Sequence, residues 1–390
     1  MPHKQSPASA IDLEQLKNQL PSTPAFVLDG PAISQALDKL AFLRQTSGCK
    51  VLYSIKALPV SSVLELAKPI VDGFSVSSLF EAQLADEILD SSGSIHLTTP
   101  GLRENEWSAI SRIVSHVSFN SLSQRQRYRH SAPPSLSQGI RVNPKLSFLD
   151  DDRFNPARPY SKLGVAIADF NLLSQPESVK GLHCHNIFSA TNFEPLQKTI
   201  ATLTPLLNNS ALSLQWLNLG GGYLYNQIDC QLFIDTVKQL KAAFNLDVFI
   251  EPGKALVGQA GYLVATVLDV FNSDGKSIAV LDTSINHHPE VFEYQRQPEL
   301  HEHNPLGEYP ALLAGCTCLA GDLFGEYNFT KPLNIGDKVV FKHIGAYSLI
   351  KANRFNGYPL PDIYLSHDNR LSKIKQDSYQ CYRQQWLADK

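Results

Sequence analysis

The chain has 390 residues, a formal net charge of −3 and a hydrophobic share of 43%. That balance argues against the basic face of a nucleic-acid binder, and no apolar run approaches the ~18 residues of a membrane helix. The opening residues lack the charged-then-apolar layout of a secretory signal, and the six cysteines follow neither a zinc spacing nor a small disulfide framework, so a reducing cytoplasm is expected.

In chain order, short apolar or β-branched runs alternate with amphipathic stretches. Strands are expected at 50–55, 73–76, 94–97, 116–119, 140–142, 179–183, 214–219 and 247–250. Helices are expected at 61–67, 79–88, 104–113, 195–207 and 230–244. Residues 143–162 read as a long loop. About eight β-then-α units imply a parallel sheet, and that number favours a closed (β/α)8 barrel over an open sheet. After Glu251 the texture changes. Runs at 262–271, 278–281, 311–318 and 338–343 are strand-like and separated by turn signals such as Asn272-Ser-Asp-Gly275. The expected architecture is α/β, a TIM barrel over 30–255 followed by an all-β domain over 256–390, joined by residues from 1–29.

In a parallel barrel, chemistry gathers at the C-terminal ends of the strands. Lys56 ends the first strand; a lysine there ordinarily just closes the strand in water. His183 and His185 point the same way from one strand, so a metal pair is conceivable, although a packed and hydrogen-bonded ring is the commoner fate. Gly220-Gly-Gly222 directly follows a strand and could bring backbone N–H groups to a phosphate, or simply make a tight turn. Glu251 opens Glu251-Pro-Gly-Lys254, a carboxylate at the barrel mouth or a strand-ending turn. Cys316-Thr-Cys318 is weak evidence for redox or metal chemistry. Each feature is ordinary alone, but their order along the chain is informative.

That order, with Tyr53-Ser-Ile-Lys-Ala57, Ser77-Ser-Leu-Phe-Glu81, Gly181-Leu-His-Cys-His185, Leu281-Asp-Thr-Ser284, Cys318-Leu-Ala-Gly-Asp322 and Phe355-Asn-Gly357, resembles the fold-type III, alanine-racemase-like decarboxylases that use pyridoxal 5'-phosphate (PLP). Within that group the motifs are nearest those of carboxynorspermidine decarboxylases and span nearly the whole chain. The resemblance implies that Lys56 carries the cofactor, His185 stacks on its ring and Glu251 pairs with the ring nitrogen. It gives the phosphate to Gly220, Gly221 and Gly222 with Tyr347. Cys318 would protonate the α-carbon after CO2 leaves, and Asp322 would bind the distal part of an amino-acid-like substrate. It also implies a homodimer with shared active sites, Cys318 and Asp322 coming from the second subunit, and no resident metal. The implied reaction removes the α-carboxylate of a 3-amino-3-carboxypropyl group, as in carboxynorspermidine and carboxyspermidine of polyamine biosynthesis. Alternatives are the same step on a peptide-nucleotide of the microcin C type, or a PLP-binding homologue without activity.

Departures from the pattern fall at the site. Where the carboxynorspermidine pattern continues with Cys-Glu after the His185 motif, this chain has Asn186-Ile-Phe-Ser-Ala-Thr191. The glycines are followed by Tyr223 and Leu224 instead of two histidines, and Glu251-Pro-Gly by Lys254 instead of glutamate, a lysine suited to a phosphate contact. Leu319 stands where ornithine decarboxylase has aspartate. Carboxylates that could face a polyamine cation are thus replaced.

Overall fold

The computed structural model describes residues 11–367 and 370–388. They divide into two compact units, one of residues 36–256 and one of the described residues up to 35 and from 257 on. Residues 1–10 of the N-terminal segment expected to join the β-domain lie outside the described residues, as do 368, 369, 389 and 390.

In the first unit, among the described residues, eight strands pair in parallel in chain order: Lys50–Ser54, Gly73–Val76, Ser94–Thr99, His116–Phe119, Ser137–Asn143, Gly181–His183, Trp216–Asn218 and Asp247–Ile250. The last pairs with the first, through Phe249 opposite Lys50 and Ile250 opposite Val51, so the sheet closes into the expected barrel. A parallel strand covered on both faces carries an almost unbroken apolar run rather than an alternating one, and Gly73–Val76 is buried throughout. The intervening helices include Ser61–Ala67, Leu79–Leu89, Glu104–Ile113, Glu194–Leu207 and Gln231–Phe244. The helix Leu79–Leu89 starts on a reciprocal cap. Ser78 Oγ accepts the Glu81 N–H at 3.2 Å, while the Glu81 carboxylate accepts the Ser77 N–H at 2.6 Å. Residues 144–164 contain no strand or helix.

The N-terminal end of the barrel is plugged by aromatic rings. Trp216 lies so close to Gly139 and Gly181 that an added Cβ would come within 2.4 and 2.0 Å of its ring, so those two strands need glycine there. Beside it the rings of His96 and His116 stack 3.9 Å apart, nearly parallel at 10°. Burial, then the neighbouring His116, holds His96 well below the ordinary histidine range. Burial, then Lys50, lowers His116 to about 4, with Asp247 opposing. Both rings are neutral in the fold but take up protons near pH ~6.5 in an unfolded chain. Their folded pKa values are depressed, so their contribution is complete above about pH 6.5 and is lost as pH falls below it. A His116→Phe variant is therefore expected to show a shallower fall in Tm from about pH 6.5 down to 4 than the unaltered chain. Equal slopes in the two melting series would remove the pair from the acid response.

The second unit is a mostly antiparallel sheet. Its order is Leu323–Phe329, Tyr309–Ala314, Lys276–Leu281, Gly261–Ser273, Ala25–Asp29, Asp362–His367 and Arg370–Lys375, with Lys338–Phe341 also paired to Gly261–Ser273. Ala25–Asp29 is buried throughout and lies between an antiparallel and a parallel neighbour. Short helices, among them Leu13–Gln19 and Tyr379–Trp386, accompany the sheet. The strand expected at 311–318 ends at Ala314. Residues 315–322 instead turn back, with Gly315 N–H donating to Asp322 O at 2.8 Å. No helix among the described residues is long and apolar enough to cross a membrane.

Candidate active site

The C-terminal ends of the barrel strands surround a cavity of about 510 Å3, within the size range of small-molecule sites. Lys56, His183, His185 and Glu251 line it, together with Ser75, Arg141 and residues of the 152–163 loop. Lys56 sits in a single 3-10 turn, Ile55–Ala57, straight after its strand. Two bonds pin that turn: the Ser54 N–H donates to Pro252 O at 3.0 Å, and the Tyr53 hydroxyl to Leu58 O at 3.0 Å. The lysine side chain is open to the cavity but enclosed by protein walls. Desolvation dominates and, with Arg141, lowers its pKa, although Glu251 and Glu81 pull the other way. The balance shifts toward the neutral, nucleophilic amine.

Glu251 is 5% exposed. Burial alone would push its carboxyl up, but the His183 ring beside it, which also shares a hydrogen bond with it, and then Lys56 outweigh burial and hold it below the ordinary carboxylate range. One oxygen accepts from Asn218 Nδ2 at 2.8 Å, and the other lies 3.4 Å from His183 Nε2. His185 is half-buried in the cavity wall and kept neutral by desolvation first, then by Lys56 and Arg141. Its Nδ1 accepts the Gly221 N–H at 2.9 Å, which puts its proton on Nε2. His183 and His185 are thus committed to a carboxylate and to a backbone amide. Among the described residues, the ligand-type side chains close enough to share an ion are Glu14, His301 and Glu302, and the Lys17 ammonium already sits 2.7 and 3.0 Å from the two carboxylates.

The glycine run needs correcting in one respect. An added Cβ at Gly220, Gly221 or Gly222 would lie within 2.6, 2.3 and 2.1 Å of His185, Glu251 O and Ile187 O, and Gly220 and Gly222 have φ of +66° and +97°. Glycine is required at each position. However, the Gly220 N–H donates to Asn218 Oδ1 at 2.8 Å and the Gly221 N–H to His185. Two of the three amides expected to meet a phosphate are therefore spent on fixing the site's own side chains. Lys254, expected at a phosphate, has Nζ 3.3 Å from Ser189 Oγ and 5.7 Å from the Phe188 ring centroid.

Cys318, Asp322 and Tyr347 belong to the sheet unit. Cys318 is exposed, and its N–H donates to Asn356 Oδ1 at 2.8 Å. Tyr347 has a left-handed backbone, φ +60°. Asp322 departs from expectation: it is 2% exposed. Its carboxylate accepts the Ile285 N–H at 2.9 Å, the Thr317 N–H at 3.1 Å and the Thr317 hydroxyl. A buried carboxylate with three donors is occupied in holding the turn that presents Cys318, rather than free for the distal end of a substrate.

The sequence reading missed Arg141, Asn218 and the cavity-facing loop. Arg141 and Asn218 carried a signal, a polar residue inside an otherwise apolar strand. The loop's cations had none, because a charged loop is ordinarily a solvated one.

The residues present fit PLP. A lysine with a lowered pKa, a neutral histidine ring and a buried ionised carboxylate line one cavity, and the glycine turn donates to that histidine, matching an aldehyde carried on lysine beside a protonated ring nitrogen. Fold and site together define a lysine-dependent barrel enzyme with a C-terminal sheet domain. The family model described as pyridoxal-dependent decarboxylase, C-terminal sheet domain, matches residues 25–345. The chain belongs to this family of pyridoxal-dependent decarboxylases and is a carboxy-lyase. It is 32% identical over 377 residues to the carboxynorspermidine/carboxyspermidine decarboxylase of Campylobacter jejuni, covering 92% of this chain and 97% of that one. It is also 32% identical to the carboxyaminopropylagmatine decarboxylase of Synechocystis, covering 94% of this chain and 95% of that protein. The crystal structure of the Campylobacter jejuni carboxynorspermidine decarboxylase with norspermidine superimposes with a TM-score of 0.85 at 31% identity, over 93% of this chain and all of that one. Diaminopimelate decarboxylase of Helicobacter pylori, at 20% identity and a TM-score of 0.82 over 96% of this chain and 99% of that one, shares the fold.

Proposed function

We propose that this enzyme removes the α-carboxylate of a 3-amino-3-carboxypropyl group on a polyamine, carboxynorspermidine or carboxyspermidine, with PLP carried on Lys56. The reading rests chiefly on Glu251, a buried carboxylate held ionised in the same cavity as a desolvated lysine. Relatives covering nearly the whole chain act on carboxylated aminopropyl compounds by name, which supports the substrate class.

When bound, the cofactor supplies an electron sink for the pair released as CO2 departs. The protein's part is positioning and proton control. Lys56 would carry the cofactor on its side-chain nitrogen. Glu251 keeps a proton on the ring nitrogen, because an opposite charge nearby favours the charged form. The His185 ring would pack on the cofactor, and Gly222 N–H, with Tyr347, would hold the phosphate. Cys318 Sγ delivers the proton that replaces the carboxylate at the α-carbon, so the products are CO2 and a primary amine. Asp322 holds the Thr317–Cys318 turn.

A second reading places the same group on a phosphate-bearing carrier. Arg158 and Lys162 line the loop side of the cavity with one acid, Asp152, while Arg153, also in the lining, is paired with Asp151 at 2.8 Å, a balance that leaves a surplus cation for an anion rather than a carboxylate for a polyamine tail. Mass spectrometry for loss of CO2 across carboxynorspermidine, carboxyspermidine, ornithine, lysine, diaminopimelate and an aminocarboxypropyl nucleotide tests both. Preference for the carboxylated polyamines supports the first reading, preference for the nucleotide replaces it with the second, and turnover of ornithine or lysine alone overturns both.

A homodimer with composite sites is part of this proposal. Mixing Lys56→Ala with Cys318→Ala protein should restore activity, since each mixed dimer holds one site with neither substitution. With free exchange about half the dimers are mixed and about one quarter of all sites are intact. No recovery after exchange has been demonstrated would mean that each site is built within one chain.

A further inference from the structure

His183 takes no part in the chemistry described so far. It is 1% exposed, leaves the same face of the strand as His185, and stands 3.4 Å through Nε2 from a Glu251 oxygen. Its Nδ1 is buried and has no hydrogen-bond partner. These facts discriminate among the three forms of the ring. A proton on Nδ1 alone would strand a buried donor and turn a bare ring nitrogen toward a carboxylate, which can only accept. A doubly protonated ring would strand the same donor and add a cation near Arg141 and Lys56. Protonation on Nε2 alone gives the carboxylate a donor and leaves unmet only a bare acceptor, the least costly of the three. Burial, the largest influence on this ring, also favours the neutral form.

The other Glu251 oxygen accepts from Asn218, whose own oxygen accepts the Gly220 N–H, while the Glu251 N–H donates to Gly220 O at 2.8 Å. Both carboxylate oxygens are thus met from the next two strands around the barrel. The His183 bond, at the long end for a hydrogen bond, holds the second oxygen, so that with the Asn218 bond it resists rotation about the Glu251 side chain.

We propose that His183 is the positioning residue for Glu251, a neutral imidazole protonated on Nε2 that clamps with Asn218 the two oxygens of the carboxylate. Its kinetic consequence rests on the role given to Glu251 above, but the tautomer does not. The test is a nitrogen-15 spectrum of the histidine-labelled full chain as purified, with the His183 signal assigned by its absence in His183→Phe or His183→Gln. One protonated and one bare nitrogen are expected, the proton on Nε2. A proton on Nδ1, or on both nitrogens at neutral pH, overturns the assignment while leaving Lys56 and the substrate reading untouched. Conversely, the expected spectrum with no turnover of any compound in the panel sinks the substrate reading and leaves the clamp standing.

The variants add a second arm. His183→Phe keeps an aromatic ring but removes the donor, and is expected to lower kcat about 10- to 100-fold, the worth of a hydrogen bond to a charged group. His183→Gln restores a donor and should recover at least half of that loss on a logarithmic scale. A residue that served only to fill space would give the opposite order, with Phe the milder change, and that order would overturn the clamp.

Discussion

Lys56→Ala is expected to abolish both the visible absorbance of lysine-bound cofactor and decarboxylation, and to leave the fold intact. The lysine is placed by a turn pinned at Ser54 and Tyr53 through bonds that do not involve its own side chain, so truncation leaves those bonds in place. An ammonium desolvated in the cavity is a cost to the folded state, and its removal should leave Tm unchanged or slightly raised. Loss of the amine at the end of the first barrel strand should reduce the rate to background. An absorbance scan before and after borohydride, CO2 release and a thermal melt together check the expectation. A variant keeping both the visible band and turnover would rule Lys56 out as the attachment point.

Glu251→Gln should bind cofactor yet lose roughly two or more orders of magnitude in kcat, the scale of losing one preorganised electrostatic partner. At two orders that is about 2.7 kcal/mol of barrier. The amide nearly matches the carboxylate in shape but carries no charge to keep the ring nitrogen protonated. It also fits its surroundings badly. Asn218 and His183 each present a donor to a separate oxygen, and glutamine offers them one oxygen and one NH2. One donor is then left facing another, so a stability loss of about 1–3 kcal/mol should accompany the rate loss. The sign with pH follows from the lowered carboxyl pKa. Glu251 contributes stability above its unfolded value of about 4.3 and loses it as pH falls below that, so the difference in Tm between the two proteins should shrink in acid. Turnover close to that of the unaltered chain would remove Glu251 from this role.

The order of the barrel strands was legible in the amino-acid sequence because each is an apolar run bounded by an amphipathic helix, a pattern set locally by which faces must be buried. Helices such as Ser61–Ala67 and Glu104–Ile113 fall at the expected residues for the same reason. Lys56, His185, Gly220–Gly222 and Glu251 could be singled out because strand ends in a parallel barrel converge whatever the sequence separation. In the sheet domain, Leu323–Phe329, Asp362–His367 and Arg370–Lys375 escaped notice, since their burial alternates or is partial and they are recruited by neighbours distant in sequence.

What the sequence by itself determined is therefore which residues stand at the mouth of the barrel and which chemistry they can offer. Only the tertiary structure decided how each polar group is spent. Nothing in Cys318-Leu-Ala-Gly-Asp322 distinguishes a substrate contact from a loop tie, and it is three donors from Ile285 and Thr317 that occupy the Asp322 carboxylate. Nothing in Gly220-Gly-Gly222 reveals that two of its amides meet Asn218 and His185, or that His183 rather than a metal meets Glu251. The physical reason is common to all three. A buried polar atom must find a partner, and in each case at least one partner comes from a strand or loop that lies 30 to 70 residues away in the chain.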